Sequence, residues 1–129
     1  MSEPSEQRHL AVKVVMMPRD TNPHGTIFGG VLLSYIDQAG AVGARHEIAQ
    51  EGYPVPPLVT VAMEGVEFHE PVFVGDVVSF WTELRRIGTT SITMHVTVKA
   101  DRGGRQQLLT RADVTYVAIE QDGSNRTHV

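Results

Sequence analysis

A single helical stretch crowded with small residues is the feature that most limits what this chain can become. From Gly29 to about Ala49 no proline interrupts the run, and Gly29, Gly30, Ala39, Gly40, Ala41, Gly43 and Ala44 lie within it. Glycine is a poor helix former, so the stretch is weak in isolation, yet it lets another layer come very close to its backbone. Everything around it reads as strand: Leu10 to Met17 before it, then Leu58 to Phe68, Asp76 to Arg86, Thr90 to Ala100 and Gln107 to Ile119. The Pro-rich break from Gln50 to Pro57 separates the helix from these later strands. One long helix against about five antiparallel strands is an α+β domain, the helix wrapped by a curved sheet.

The strand patterns carry more detail. Leu10, Val12, Val14 and Met16 fall on one side of the first strand, and Ile92, Met94, Val96 and Val98 alternate with polar neighbours in the fourth. Turn signals at Gly75-Asp76, Ile87-Gly88 and Arg102-Gly103-Gly104-Arg105 predict consecutive antiparallel hairpins. A lone helix leaves much of such a sheet uncovered, which points to burial by a second subunit. The 129 residues suit one domain, with loose tails expected at about 1–8 and 120–129.

Composition excludes several classes. A formal charge of −4 offers no basic field for nucleic acid. With no Cys there is neither a disulfide framework nor a thiolate nucleophile. The six histidines, His9, His24, His46, His69, His95 and His128, show no ligand spacing, so no metal site is expected. His24 and His69 read as loop and strand-end residues. Ser34 lacks the Gly-x-Ser-x-Gly setting of a serine hydrolase, and no Gly-x-x-x-x-Gly-Lys segment is present. A polar start and the lack of a long apolar run predict a cytoplasmic protein without a membrane segment.

The chemistry gathers between Asn22 and Asp37. A Pro- and Gly-rich loop leads through Phe28 into Gly29 and Gly30, whose N–H groups open the helix and face outward with the positive end of its dipole. Asp37 is the only carboxylate before the charged end of the helix, set among Val31, Leu32, Leu33, Ile36, Ala39 and Val42. Such an acid is expensive to bury unless something uses it. Gly29 and Asp37 are eight residues apart, which on a helix is about 12 Å along the axis. One helix cannot easily bring both to one reacting carbonyl; two antiparallel helices across a twofold axis could. A shared site at a dimer interface follows.

The pattern Asn22…Gly25…Phe28-Gly29-Gly30…Asp37, followed by Val59-Thr60-Val61, Phe68-His69-Glu70-Pro71, Gly75-Asp76 and Gly88-Thr89-Thr90-Ser91, resembles the hotdog-fold acyl-CoA thioesterases, most closely the YciA-like bacterial acyl-CoA hydrolases. The resemblance runs from about Arg8 to about Ile119. It implies a hotdog fold, an acyl-CoA substrate, hydrolysis without a cofactor, and a homodimer as the minimal unit, alone or within a trimer of dimers or a tetramer. Related thioesterases carry His where this chain has Phe28, which cannot donate a hydrogen bond.

Residue by residue, the resemblance implies that Asp37 acts as general base on water or as nucleophile on the thioester. The plain alternative is an acid that pairs with Arg45 or another arginine to hold the helix. Gly29, with Gly30, would offer backbone N–H to the developing oxyanion, or would merely let the helix begin in a crowded place. Asn22 would orient water or substrate, or serve its turn; Thr60 would support the water or the carboxylate, or simply suit a strand. Arg85, Arg86, Gly88, Thr89, Thr90 and Ser91 are the candidate contacts for CoA, against an ordinary solvated turn. Two other readings of the fold are a domain that binds acyl-CoA without chemistry and a thioester hydratase or dehydratase, which would use a catalytic His near this helix.

Overall fold

The computed structural model describes residues 8–120 and 126–129. Its elements are β1 (His9–Val15), α1 (Gly29–Gln50), β2 (Leu58–Phe68), β3 (Val77–Ile87), β4 (Ser91–Arg102) and β5 (Arg105–Ala118), with a short 3-10 turn at Pro18–Asp20. All strands pair antiparallel in the order β1-β3-β4-β5-β2. The helix lies on one face of that sheet, against β1, β3, β4 and β5. This is the α+β hotdog architecture that the sequence led us to expect.

The core follows from periodicity. Ile92, Met94, Val96 and Val98 of β4 are fully buried under the helix, with Phe80 and Tyr116 from the neighbouring strands. Leu32, Ile36, Ala39, Gly40, Gly43, Ala44 and Ile48 form the buried stripe of α1. The two interior glycines explain how near the layers come. A methyl group on Gly40 would collide with the hydroxyl of Tyr116, and one on Gly43 would collide with Thr82. Each interior glycine costs about 1 kcal/mol in helix propensity. Full burial of one large apolar side chain contributes about 1.5–3 kcal/mol, so close approach wins.

Three expectations need correction. The Gly75-Asp76 turn does not join neighbouring strands, because β2 lies beyond β5 at the sheet edge while β3 sits between β1 and β4. It closes the β1 and β3 ends instead: Gly75 N–H donates to the Met16 carbonyl at 2.8 Å, and Met16 N–H donates to that of Asp76 at 3.0 Å. Leu10 is exposed rather than core-facing, because a bulge between Leu10 and Val12 resets the alternation of β1. The tail expected to be loose over 120–129 is held at its far end: Thr127 N–H donates to the Ala118 carbonyl at 2.9 Å, Val129 N–H to that of Thr89 at 3.1 Å, and the Val129 side chain packs on the core. The rest of the expected tails, residues 1–7 and 121–125, lies outside the described residues.

Further bulges fall at Thr60/Ala62 and Glu64/Glu67 in β2, Leu84/Arg86 in the β3–β4 pair and Val98/Lys99 in the β4–β5 pair. Extra residues of this kind increase local twist and bend the sheet around the helix. Among the described residues β2 is left with one unpaired edge, and Val59 and Val61 on it are exposed.

Candidate active site

The loop before α1 is built around Asn22. Its amide oxygen accepts the N–H groups of His24 at 2.9 Å and Thr26 at 3.2 Å, while its amide nitrogen donates to the Thr26 hydroxyl at 2.8 Å. Gly25, at φ +86°, supplies the left-handed residue the tight turn needs. The Asn22 side chain thus organises its own loop. The loop closes when Phe28 N–H donates to the Asp20 carbonyl at 2.8 Å.

Phe28 is extended, at φ −63° and ψ 132°, and the helix begins immediately after it. No side chain caps this end, and no acidic residue occupies the first turn. The outward N–H groups of Gly29 and Gly30 thus present positive potential that no capping side chain satisfies. Gly29 lines a cavity of 280 Å³ together with Thr26, Ile27, Leu32, Phe68, His69, Glu70, Pro71 and Val72. Gly30 opens onto another cleft, of 470 Å³, lined by Asp20, Phe28, Val31, Ser34, Tyr35 and Gln38. The Phe28 ring lies against Gly30, where a Cβ would come within 2.7 Å of it.

Asp37 lies two turns further along, half-buried. The Thr60 hydroxyl of β2 donates to Asp37 Oδ1 at 2.5 Å. The Tyr116 hydroxyl of β5 donates to the Asp37 main-chain carbonyl at 2.6 Å. Burial, then the nearby Asp37 charge, push the Tyr116 phenol far above its ordinary range, so it stays protonated and donating. Among the described residues Asp37 joins no ion pair, with Arg45 or any other cation. The Thr60 hydroxyl orients the carboxylate without pairing it to a cation.

The structure therefore joins Asp37 with Thr60, and separately Gly29 with Phe68 and His69. Among the described residues no hydrogen bond links the two groups. β2 carries both, with Thr60 near its start and Phe68 at its end. His69 is the residue that sequence reasoning set aside: only the closing of β2 toward the helix start brings it to the cavity wall, and no local signal shows that.

The β3–β4 turn is braced rather than free. Gly88 N–H donates to the Ser91 carbonyl at 2.8 Å, and the carbonyls of Thr90 and Thr89 accept from Ala118 and Val129. Arg85 turns away from it, placing Nη2 at 3.1 Å from His95 Nδ1 and Nε at 3.5 Å from Asp113 Oδ1. Arg86 stays exposed at the turn and makes no ion pair among the described residues. Among the described residues no group of three or more acidic or His side chains could hold a metal ion, and no helix is long and apolar enough to cross a membrane.

A family model described as the thioesterase superfamily matches residues 24–106. The acyl-CoA thioester hydrolase YciA of Salmonella typhimurium is 39% identical over 125 residues, covering 93% of this chain and 90% of that protein. Among solved structures, the hexameric thioesterase y2039 of Yersinia pestis matches with a TM-score of 0.84 at 38% identity, over 99% of both chains. HI0827, a hexameric broad specificity acyl-coenzyme A thioesterase, matches with a TM-score of 0.80 at 36% identity, over 93% of this chain and 80% of that one.

Proposed function

The chain belongs to the thioesterase superfamily, and from that premise we propose that it hydrolyses acyl-CoA thioesters to a free carboxylic acid and CoA. The observation that carries the proposal is the pairing of Asp37 with Thr60 on a helix whose start no side chain caps. The first is a held carboxylate, the second an anion site, and thioester hydrolysis needs both. The acyl-CoA substrate is further supported by the activity for which YciA and HI0827 are named.

In the proposed mechanism the thioester carbonyl docks at Gly29, with Gly30 beside it. Its developing oxyanion accepts the backbone N–H, a contact worth about 3 kcal/mol where such donors have been removed. Asp37 takes a proton from the attacking water, or attacks the carbonyl itself; either route needs a carboxylate with the Thr60 hydroxyl steadying it. No cofactor enters. The exposed Arg86 and the Gly88–Ser91 turn offer CoA phosphates a cation and polar groups at the surface, while Arg85, paired with Asp113, is the weaker contact of the two.

The site is shared between subunits in this proposal. Pairing the free edge of β2 with its twofold copy would cover Val59 and Val61 and carry the Asp37 of one chain toward the Gly29 of the other. A dimer of this kind, repeated about a threefold axis, gives the trimer of dimers; the hexameric assemblies named for y2039 and HI0827 favour it over a tetramer. A domain that binds acyl-CoA without chemistry would have no use for the Asp37–Thr60 pair.

The test is thiol release from a panel of acyl-CoAs by the wild type and by Asp37→Asn. Lost turnover with retained CoA binding supports the proposal. Equal turnover by the variant removes Asp37 from the mechanism, and no thiol release by the wild type from any acyl-CoA overturns the activity.

A further inference from the structure

Hydrolysis releases a thiolate, and the residues named so far leave it without a proton donor. The cavity at the helix start supplies a candidate. Three of its lining residues carry an exchangeable side-chain proton or can take one up: Thr26, His69 and Glu70. An alcohol is too weak an acid and an ordinary glutamate is already ionised at neutral pH, whereas imidazole titrates there.

His69 is also well held. Its backbone N–H donates to the Leu109 carbonyl at 2.7 Å, which fixes the main chain against β5. Its Nε2 lies 3.3 Å from Glu67 Oε1, and the side chain is 37% exposed, open enough to meet a ligand. Glu67 is itself steadied by Arg111, whose Nε lies 3.3 Å from the same oxygen. The charged groups facing the ring are thus Glu67 at the end of β2, Glu70 on the cavity wall and Arg111 through Glu67. A carboxylate behind an imidazole orients the ring, leaving the second nitrogen for a ligand.

We propose that His69 is a catalytic residue that protonates the departing sulfur, with Glu67 as its positioning residue. The inference rests on the thioesterase reading. Sulfur is bonded to the carbonyl carbon, so a carbonyl docked at Gly29 brings sulfur to the same cavity. The oxygen of water bonds to that carbon as its proton passes to Asp37. The carbon–sulfur bond then breaks with its electron pair on sulfur, and the imidazolium proton moves to sulfur to give the thiol. His69 is reprotonated from solvent, which receives the proton held by Asp37. The sum is thioester plus water giving acid plus thiol, with no oxidation or reduction.

The test compares two leaving groups. Wild type, His69→Gln and Glu67→Gln are assayed with one acyl-CoA and with the matching thioester of 4-nitrothiophenol, whose acidic thiol leaves without a proton. His69→Gln should lower kcat for acyl-CoA by about tenfold, below the usual range for general acids because even an alkyl thiolate leaves readily. It should leave the aryl thioester within about twofold, and it should remove the alkaline limb of the kcat profile. Glu67→Gln should show the same selectivity to a lesser extent, which keeps the test decisive if His69→Gln folds poorly. Equal loss on both substrates, or no loss on either, overturns the role of His69 while the hydrolase reading stands. A wild type inactive on every acyl-CoA overturns both.

Discussion

The Thr60 hydroxyl and the Asp37 carboxylate meet at 2.5 Å across the gap between the edge strand and the helix. They are 23 positions apart in sequence. The contact gives the acid a fixed direction without cancelling its charge. Thr60→Val keeps the shape and deletes the donor, so turnover should fall by up to about a hundredfold through misplacement of the acid. Asp37→Asn should fall by about a hundredfold or more, and Thr60→Val added to it should cost little further. Thiol-release rates of the three variants check this; independent losses that multiply would show that the two residues do not act as a unit.

A shared site has a separate signature. Asp37→Asn and Gly29→Pro chains should each be inactive alone, and verified mixed dimers of the two should regain activity. One of the two shared sites in such a hybrid carries both intact halves. Purified heterodimers that remain inactive would place the complete site within one chain.

The contact between Gly40 and Tyr116 makes a prediction about stability. Gly40→Ala should improve helix propensity yet destabilise the protein by about 1–3 kcal/mol, since the added methyl collides with the phenol. Tyr116→Phe should also destabilise, because it deletes the buried hydrogen bond from the hydroxyl to the Asp37 carbonyl. The double variant should lose less than the sum. Urea unfolding of the four proteins closes the cycle, and strict additivity would contradict the contact.

Acid should expose the clamp at Asp76. Burial raises the pKa of this carboxyl, but the Arg102 guanidinium at 2.5 Å, the Phe73 N–H at 2.9 Å and the charge of Arg102 outweigh it and hold it below the ordinary value of 3.8. A carboxyl whose folded-state value is depressed adds stability above its unfolded value and loses it as pH falls through the folded one. Wild-type stability should therefore decline below about pH 5, and Asp76→Asn should be less stable at neutral pH with a shallower acid decline. Parallel curves would remove Asp76 from the acid response.

The helix could be read from its own residues. Its start at Gly29, its end near Gln50 and the close approach at Gly40 are all consequences of local pattern and small side chains. The buried face of β4 was equally clear, since alternation there continues without interruption. Strand order was not, because the pairing of β2 with β5 depends on contacts distant in sequence and no turn residue encodes it. The bulge that turns Leu10 outward is also invisible to a count of alternating residues. Within the candidate site, Asp37 and Thr60 were both singled out, and only the fold showed that they touch. Asn22 and Arg85 were singled out by residue type and position, and only the fold showed their neighbours, Thr26 for one and Asp113 for the other.

The phenol of Tyr116 ends on the peptide carbonyl of Asp37 and passes over Gly40 on its way. The length of one aromatic side chain therefore gauges how far the acid stands from the sheet floor. Any change in the loops around the helix start leaves that spacing untouched, because strands, and not loops, set it.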